Sequence, residues 1–329
     1  MEFKRRVKLL KILVQFSIGI VILLYLLQLA DASKVFSILL MINPVNVLLA
    51  SIFFIIASTF VAFALYIPIK SIERSAPMDK VILGSFAGQL LSDVTPVRSG
   101  YFATPLILKA LCNISIEKGM VGVLATGIVN SFAKVVISVI ALIYFISFLR
   151  SNSLIVNAIA VGILFLLGGG IFLLIILIEK RILKLIAVFE KIPTIKVVIG
   201  KLINLLNQVQ EGGVNIKKHF PIMFLLIVLS VLTNAMALQF ISDGFAVKSI
   251  SLIELMFIAT LVGSLMYIPV TIAGLGVQET GYVLLLTSLG MPFDTAVAFA
   301  LLARVLFTGT DIIGLPALMK VGFKNINKR

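Results

Sequence analysis

Ionisable residues are scarce in this chain, and a few sit where apolar sequence should exclude them. Arg98, Lys134, Glu279 and Arg304 lie in or between long apolar runs. Asp93 and Asp311 are the other acids there, with Gln89, Asn130, Asn234 and Gln278 as polar company. Charges in hydrocarbon are costly, so they pair, line a polar cavity or serve a function. Arg98 belongs to the stretch Asp93-Val94-Thr95-Pro96-Val97-Arg98-Ser99-Gly100. Glu279 closes a second one, Ile268-Pro269-Val270-Thr271-Ile272-Ala273-Gly274-Leu275-Gly276-Val277-Gln278-Glu279. Pro96 and Pro269 each remove a helical N–H and mark a structural bend. Gly100, Gly274 and Gly276 let the backbone come close to a ligand. A half-helix that starts at such a break presents unpaired N–H groups and the positive end of its dipole. With Arg98, Arg304 and Lys134 nearby, these ends suit an anion such as a lipid phosphate. The expected substrate-binding set is therefore Arg98, Gly100, Lys134, Gly274, Gly276, Gln278, Glu279 and Arg304. The plainer alternative is that Glu279 caps its own half-helix and pairs with Arg304, so that these charges only lock two helices together.

Catalytic chemistry finds little to work with. One His, His219, and one Cys, Cys112, cannot build a Ser-His-Asp triad, a disulfide or a Cys/His metal cluster. No nucleophile–base constellation and no nucleotide-binding motif stands out. The expectation is no catalytic residue, no metal and no cofactor. The net charge of +14 does not point to nucleic acid, because no soluble basic and aromatic module accompanies it.

The elements that must position these residues are membrane helices. Of the 329 residues, 60% are hydrophobic and 13% charged, which suits a chain solvated by lipid. Several apolar runs approach or exceed the ~20 residues needed to cross ~30 Å of hydrocarbon, without the period-2 alternation of barrel strands. The expected fold is all-α. Full spans are predicted near residues 9–29, 44–69, 118–148, 154–178, 220–241 and 294–318. Two broken pairs, 81–91 with 101–111 and 252–268 with 277–289, surround the two Pro-containing stretches. Between the halves, residues 179–218 read as a basic amphipathic helix pair on a membrane surface, with Leu183, Ile186, Ala187 and Phe189 on the first member and Leu205 and Leu206 on the second. Its lysines suit recruitment of anionic headgroups, or simply a cytoplasmic linker.

Placing the basic loops on one side puts 22 of the 28 Lys and Arg residues there, which makes both termini cytoplasmic in a multi-pass cell-membrane protein. Six crossings with two re-entrant hairpins satisfy this count, and so do eight crossings. On the re-entrant reading the whole chain is one membrane domain. Residues 9–153 and 220–319 are halves of an inverted repeat, and 154–219 links them. Broken helices in inverted repeats form transporter sites at the membrane midplane.

The two Pro-containing stretches carry a resemblance to a known family. Thr95-Pro96-Val97-Arg98-Ser99-Gly100 resembles the Pro-Gly-Arg-x-Gly bend of the transmembrane region of lysylphosphatidylglycerol synthases and their flippase-like relatives. The run from Pro269 to Glu279 resembles the second signature, Pro…Gly-Gly-Leu-Gly-x-x-Glu, and Gly290 and Arg304 fall where that pattern continues. Two departures stand out. Tyr101 replaces an acid common after the first bend, and Asn130, Ser131 and Lys134 replace a Glu-Arg pair and an Asp. The synthases transfer aminoacyl groups with a separate soluble domain, which is not visible after the last apolar run here. The resemblance thus implies a non-enzymatic, flippase-like transporter of an anionic lipid, either a phospholipid or a polyprenyl-phosphate-linked lipid. The alternative is a non-transporting membrane partner that positions a separate glycosyl- or aminoacyl-transferase near its lipid substrate.

Overall fold

The computed structural model describes residues 2–149, 153–179, 196–214, 216–245 and 250–326, and these residues fold almost entirely into helices. Helix α1 (Glu2–Leu29) is followed by α2 (Ala32–Met41), turned 88° from it. The polar stretch Asp31–Lys34 forms the start of α2. The Asp31 carboxylate accepts the N–H groups of Ser33 and Lys34 at 3.0 and 3.3 Å, an N-cap. Helix α3 (Pro44–Ile72) opens as expected, with the Asn43 side chain accepting the Val45 N–H at 3.0 Å and Pro44 in the first turn.

The remaining helices are α4 (Met78–Ser92), α5 (Thr104–Cys112), α6 (Ile116–Leu149), α7 (Ser153–Ile178), α8 (Lys196–Val214), α9 (Phe220–Gly244), α10 (Leu252–Leu265), α11 (Val277–Ser288), α12 (Phe293–Asp311) and α13 (Leu315–Ile326). Short 3-10 segments, Ser99–Ala103 and Ile312–Gly314, precede α5 and α13. The second segment interrupts the predicted last span, because Pro316 cannot donate to a carbonyl one turn back. Among the described residues, five stretches are long and apolar enough to cross a membrane: α3, α6, α7, α9, and α12 with α13. The bent pair α1–α2 makes a sixth candidate.

Helices α4 and α10, of 15 and 14 residues, reach only about 22 and 21 Å at ~1.5 Å per residue. Each packs instead against its successor, α5 or α11. Where α3 ends, Lys118 Nζ donates to Glu73 Oε2 at 2.7 Å, and that ammonium pulls the half-buried Glu73 carboxyl down to about 2. Ala76, Val81, Leu108 and Ile114 pack together at this end, so the α4–α5 hairpin opens and closes there. Where α3 begins, the Asn43 N–H donates to Gly244 O at 3.3 Å and the Asp31 N–H to Asp294 Oδ1 at 3.2 Å. The α10–α11 hairpin lies between Gly244 and Asp294 in sequence and belongs to this opposite end. The two tips meet inside the bundle through an isolated antiparallel bridge between Pro96 and Ile272.

Of the expected amphipathic pair, Leu183 to Phe189 lies outside the described residues. The second member, α8, buries Val209 against Val121 and Leu124 of α6 and Leu177 of α7. Gln210 Nε2 donates to the Ile176 and Glu179 carbonyls at 3.0 and 3.1 Å, which caps α7. Its apolar stripe is thus used by the bundle.

Gly100 sits where the backbone of the first hairpin closes on itself. A Cβ there would lie 2.3 Å from the carbonyl carbon of Leu91, whereas one on Gly168 of α7 would meet nothing within 4 Å. Gly100→Ala should lower stability by about 1–3 kcal/mol through overpacking, and Gly168→Ala should raise it by up to about 1 kcal/mol through helix propensity. Thermal unfolding of the detergent-solubilised variants checks the pair, and equal shifts would contradict the packing described.

Candidate functional site

The first bend is tied by its own hydroxyls. Ser92 Oγ donates to Gly88 O and Arg98 O at 2.9 and 3.1 Å. Thr95 Oγ1 donates to Leu91 O at 3.0 Å and accepts the Gly100 N–H at 2.7 Å. These bonds satisfy backbone groups that a broken helix would otherwise leave orphaned in an apolar medium. They hold Val97 and Arg98 in left-handed backbone, φ +56° and +54°, a conformation that is strained for a β-branched Val. The turn swings the Arg98 guanidinium back over the bend, with Nη2 3.2 Å from Asp93 Oδ1 and the group 5.5 Å from the centre of the Phe307 ring.

The second bend is closed by a different device. Ala273, Gly274 and Gly276 carry φ of +47°, +71° and +80°. The Gly276 N–H donates to Glu279 Oε2 at 2.7 Å, so Glu279 caps the half-helix that contains it. Arg304 Nε donates to Glu279 Oε1 at 2.5 Å and Nη1 to Ala273 O at 3.3 Å. This is the locking arrangement that the sequence left as an alternative. Helix α1 seals the outside, with Gln15 Nε2 donating to Pro269 O at 3.0 Å. A Cβ on Gly276 would fall 2.8 Å from Gly19 O of α1, so close approach to a helix requires glycine here.

Beside the joined tips lies a cavity of about 380 Å³. Its lining carries polar side chains, Gln89, Arg98, Asn130, Lys134, Asn234 and Gln278, with the rings of Tyr101, Tyr267 and Tyr282, and apolar ones that include Phe165, Leu166, Phe172 and Leu173 of α7. Gln89 Nε2 and Gln278 Oε1 are buried without hydrogen-bond partners. Among the described residues Lys134 has no ion-pair partner. The cavity therefore offers one free ammonium, one guanidinium and one unused amide donor, Gln89 Nε2, a set suited to an anion with an apolar portion. Among the described residues no group of three His, Cys, Asp or Glu side chains is placed to hold a metal ion.

Of the eight expected binding residues, Arg98, Lys134 and Gln278 line this cavity. Gly100 is pressed against Leu91, Gly276 against α1 and Gly274 against Met266. Glu279 and Arg304 face each other, with side chains 2% and 14% exposed. The tyrosines of the lining were missed, since an aromatic ring beside an apolar run carries no distinguishing signal. So was a second acidic partnership. The Asp311 carboxyl faces Asp93 and Arg98 across more than two hundred residues of sequence, a separation that leaves no spacing to read.

In comparison with known proteins, the family described as "Lysylphosphatidylglycerol synthase TM region" matches residues 12–310, nearly the whole chain. No curated protein matches it.

Removing one partner of a buried pair strands the other charge, at a cost of about 3–5 kcal/mol. Arg304→Ala alone should destabilise by that order. Arg304→Met combined with Glu279→Gln should recover at least half of the loss, because Gln still accepts the Gly276 N–H. Unfolding midpoints in detergent check this, and a double variant no better than the single one would contradict it.

Proposed function

The chain belongs to the lysylphosphatidylglycerol synthase TM-region family, and on that premise we propose that it is a flippase-like transporter of an anionic lipid, a phospholipid or a polyprenyl-phosphate-linked lipid. The observation that carries this reading is the cavity beside the hairpin tips, whose lining mixes cations with apolar rings. A phosphate suits Arg98 and Lys134, while acyl or prenyl chain suits Phe165, Leu166 and Phe172 of the same lining. A smaller apolar cleft of about 100 Å³ lies in the seam between α6 and α7, lined by Ile128, Phe132, Leu167 and Leu174. Ser131 borders both spaces. We read that seam as the path along which tails stay in lipid while the headgroup crosses.

On this reading α4–α5 and α10–α11 are re-entrant hairpins of an inverted repeat, one reaching in from each face of the membrane. Their lengths, their opposite ends and their shared tip support it. Alternating exposure then needs only a shift of one tip against the other, with the Glu279–Arg304 pair keeping the second bend rigid as it moves.

Charge-assisted hydrogen bonds contribute about 1.5–3 kcal/mol each, so Arg98→Ala and Lys134→Ala should each slow phosphatidylglycerol translocation by about 10- to 100-fold. The measurement is loss of leaflet asymmetry of a fluorescent phosphatidylglycerol in reconstituted liposomes. Wild-type rates in both variants would overturn the proposal.

A further inference from the structure

The acid pair on the far side of Arg98 has no role in the account so far. Asp311 is fully buried and the Asp93 side chain is 1% exposed. All four of their carboxyl oxygens are buried without a hydrogen bond. The Arg98 Nη2–Asp93 Oδ1 approach of 3.2 Å is close enough for an ion pair, yet off the line of the N–H bond. Among the described residues, the ionisable groups that face this pair are Arg98 and the Tyr101 phenol, with Tyr267 across Arg98. Two carboxylates facing one guanidinium in a dry site leave one negative charge uncompensated. One proton shared between the acids removes it.

We propose that Asp93 and Asp311 form a proton-binding site, tied to the anion in the neighbouring cavity through Arg98. The tie rests on the reading of that cavity as an anion site. Arg98 belongs to both places: it lies beside Asp93 and also lines the cavity. With the cavity empty, the guanidinium and the singly protonated acid pair are neutral together. An anion that draws Arg98 toward itself neutralises the guanidinium and strips the acid pair of its cation. The pair then takes a second proton from water, and both places are neutral again. Anion and proton are thereby bound together, so the headgroup moves as a neutral package. A guanidinium nitrogen 3.2 Å from Asp93 leaves a second cation such as Na⁺ poorly placed, which favours a proton as the occupant.

Two measurements test this on the full chain. Infrared difference spectra at neutral pH should show a protonated-carboxyl C=O stretch that is lost in Asp93→Asn and also in Asp311→Asn, because either change leaves one acid for one guanidinium. A band that survives Asp93→Asn would mean a lone buried acid and would overturn the shared site. Adding phosphatidylglycerol to the solubilised protein in weakly buffered solution should draw about one proton from solution per lipid bound. Phosphatidylcholine should draw none, and neither should the Asp93→Asn/Asp311→Asn double variant. Phosphatidylglycerol that binds without proton uptake would break the link through Arg98 while leaving the cavity an anion site. Phosphatidylglycerol that fails to bind would remove the anion site and the link together, and the infrared comparison then decides the acid pair alone.

Discussion

The structure depends on satisfying broken backbone inside an apolar slab. A helix interrupted in hydrocarbon exposes N–H and C=O groups that water cannot reach. The two bends meet that demand in different ways. The first uses the hydroxyls of Ser92 and Thr95 and leaves its cation, Arg98, beside a cavity. The second uses the Glu279 carboxylate, whose charge then requires Arg304. With both tips internally satisfied, they can meet at a single bridge, Pro96 with Ile272, without a sheet to join them.

This asymmetry divides the charges by role. Arg304 is bound into the scaffold by three hydrogen bonds, two to Glu279 and one to the Ala273 carbonyl. Arg98 has a poorly aligned ion pair, an aromatic ring and open space beside it. On the proposed function the better-held arginine is structural and the loosely held one changes partner. The left-handed backbone at Val97 and Arg98 fits that picture, since strain persists where surrounding bonds impose it.

Much of the architecture was legible in the sequence. Asn43-Pro44 marked the start of α3, and the Pro-containing stretches around Arg98 and Glu279 marked both hairpins, because caps and helix breakers act locally. The turn of α2 away from α1 was not legible. Its ten residues follow an Asp31 cap that reads equally well as a loop. The site was legible only in part. Arg98, Lys134 and Gln278 line one cavity, while Arg304 turned to Glu279, the pairing that the sequence left as an alternative. The Asp93–Asp311 contact depends on how α12 lies against the first bend, which is tertiary information with no local trace.

On the proposed function the meeting of the two tips is a moving gate. A direct test places cysteines at Pro96 and Ile272 in a Cys112→Ala background, since residues opposite each other in an antiparallel bridge are within disulfide reach. In liposomes the reduced protein should translocate phosphatidylglycerol, mild oxidation should stop it, and reductant should restore it. A disulfide that forms while translocation continues at the same rate would make the tips a static scaffold and contradict the account.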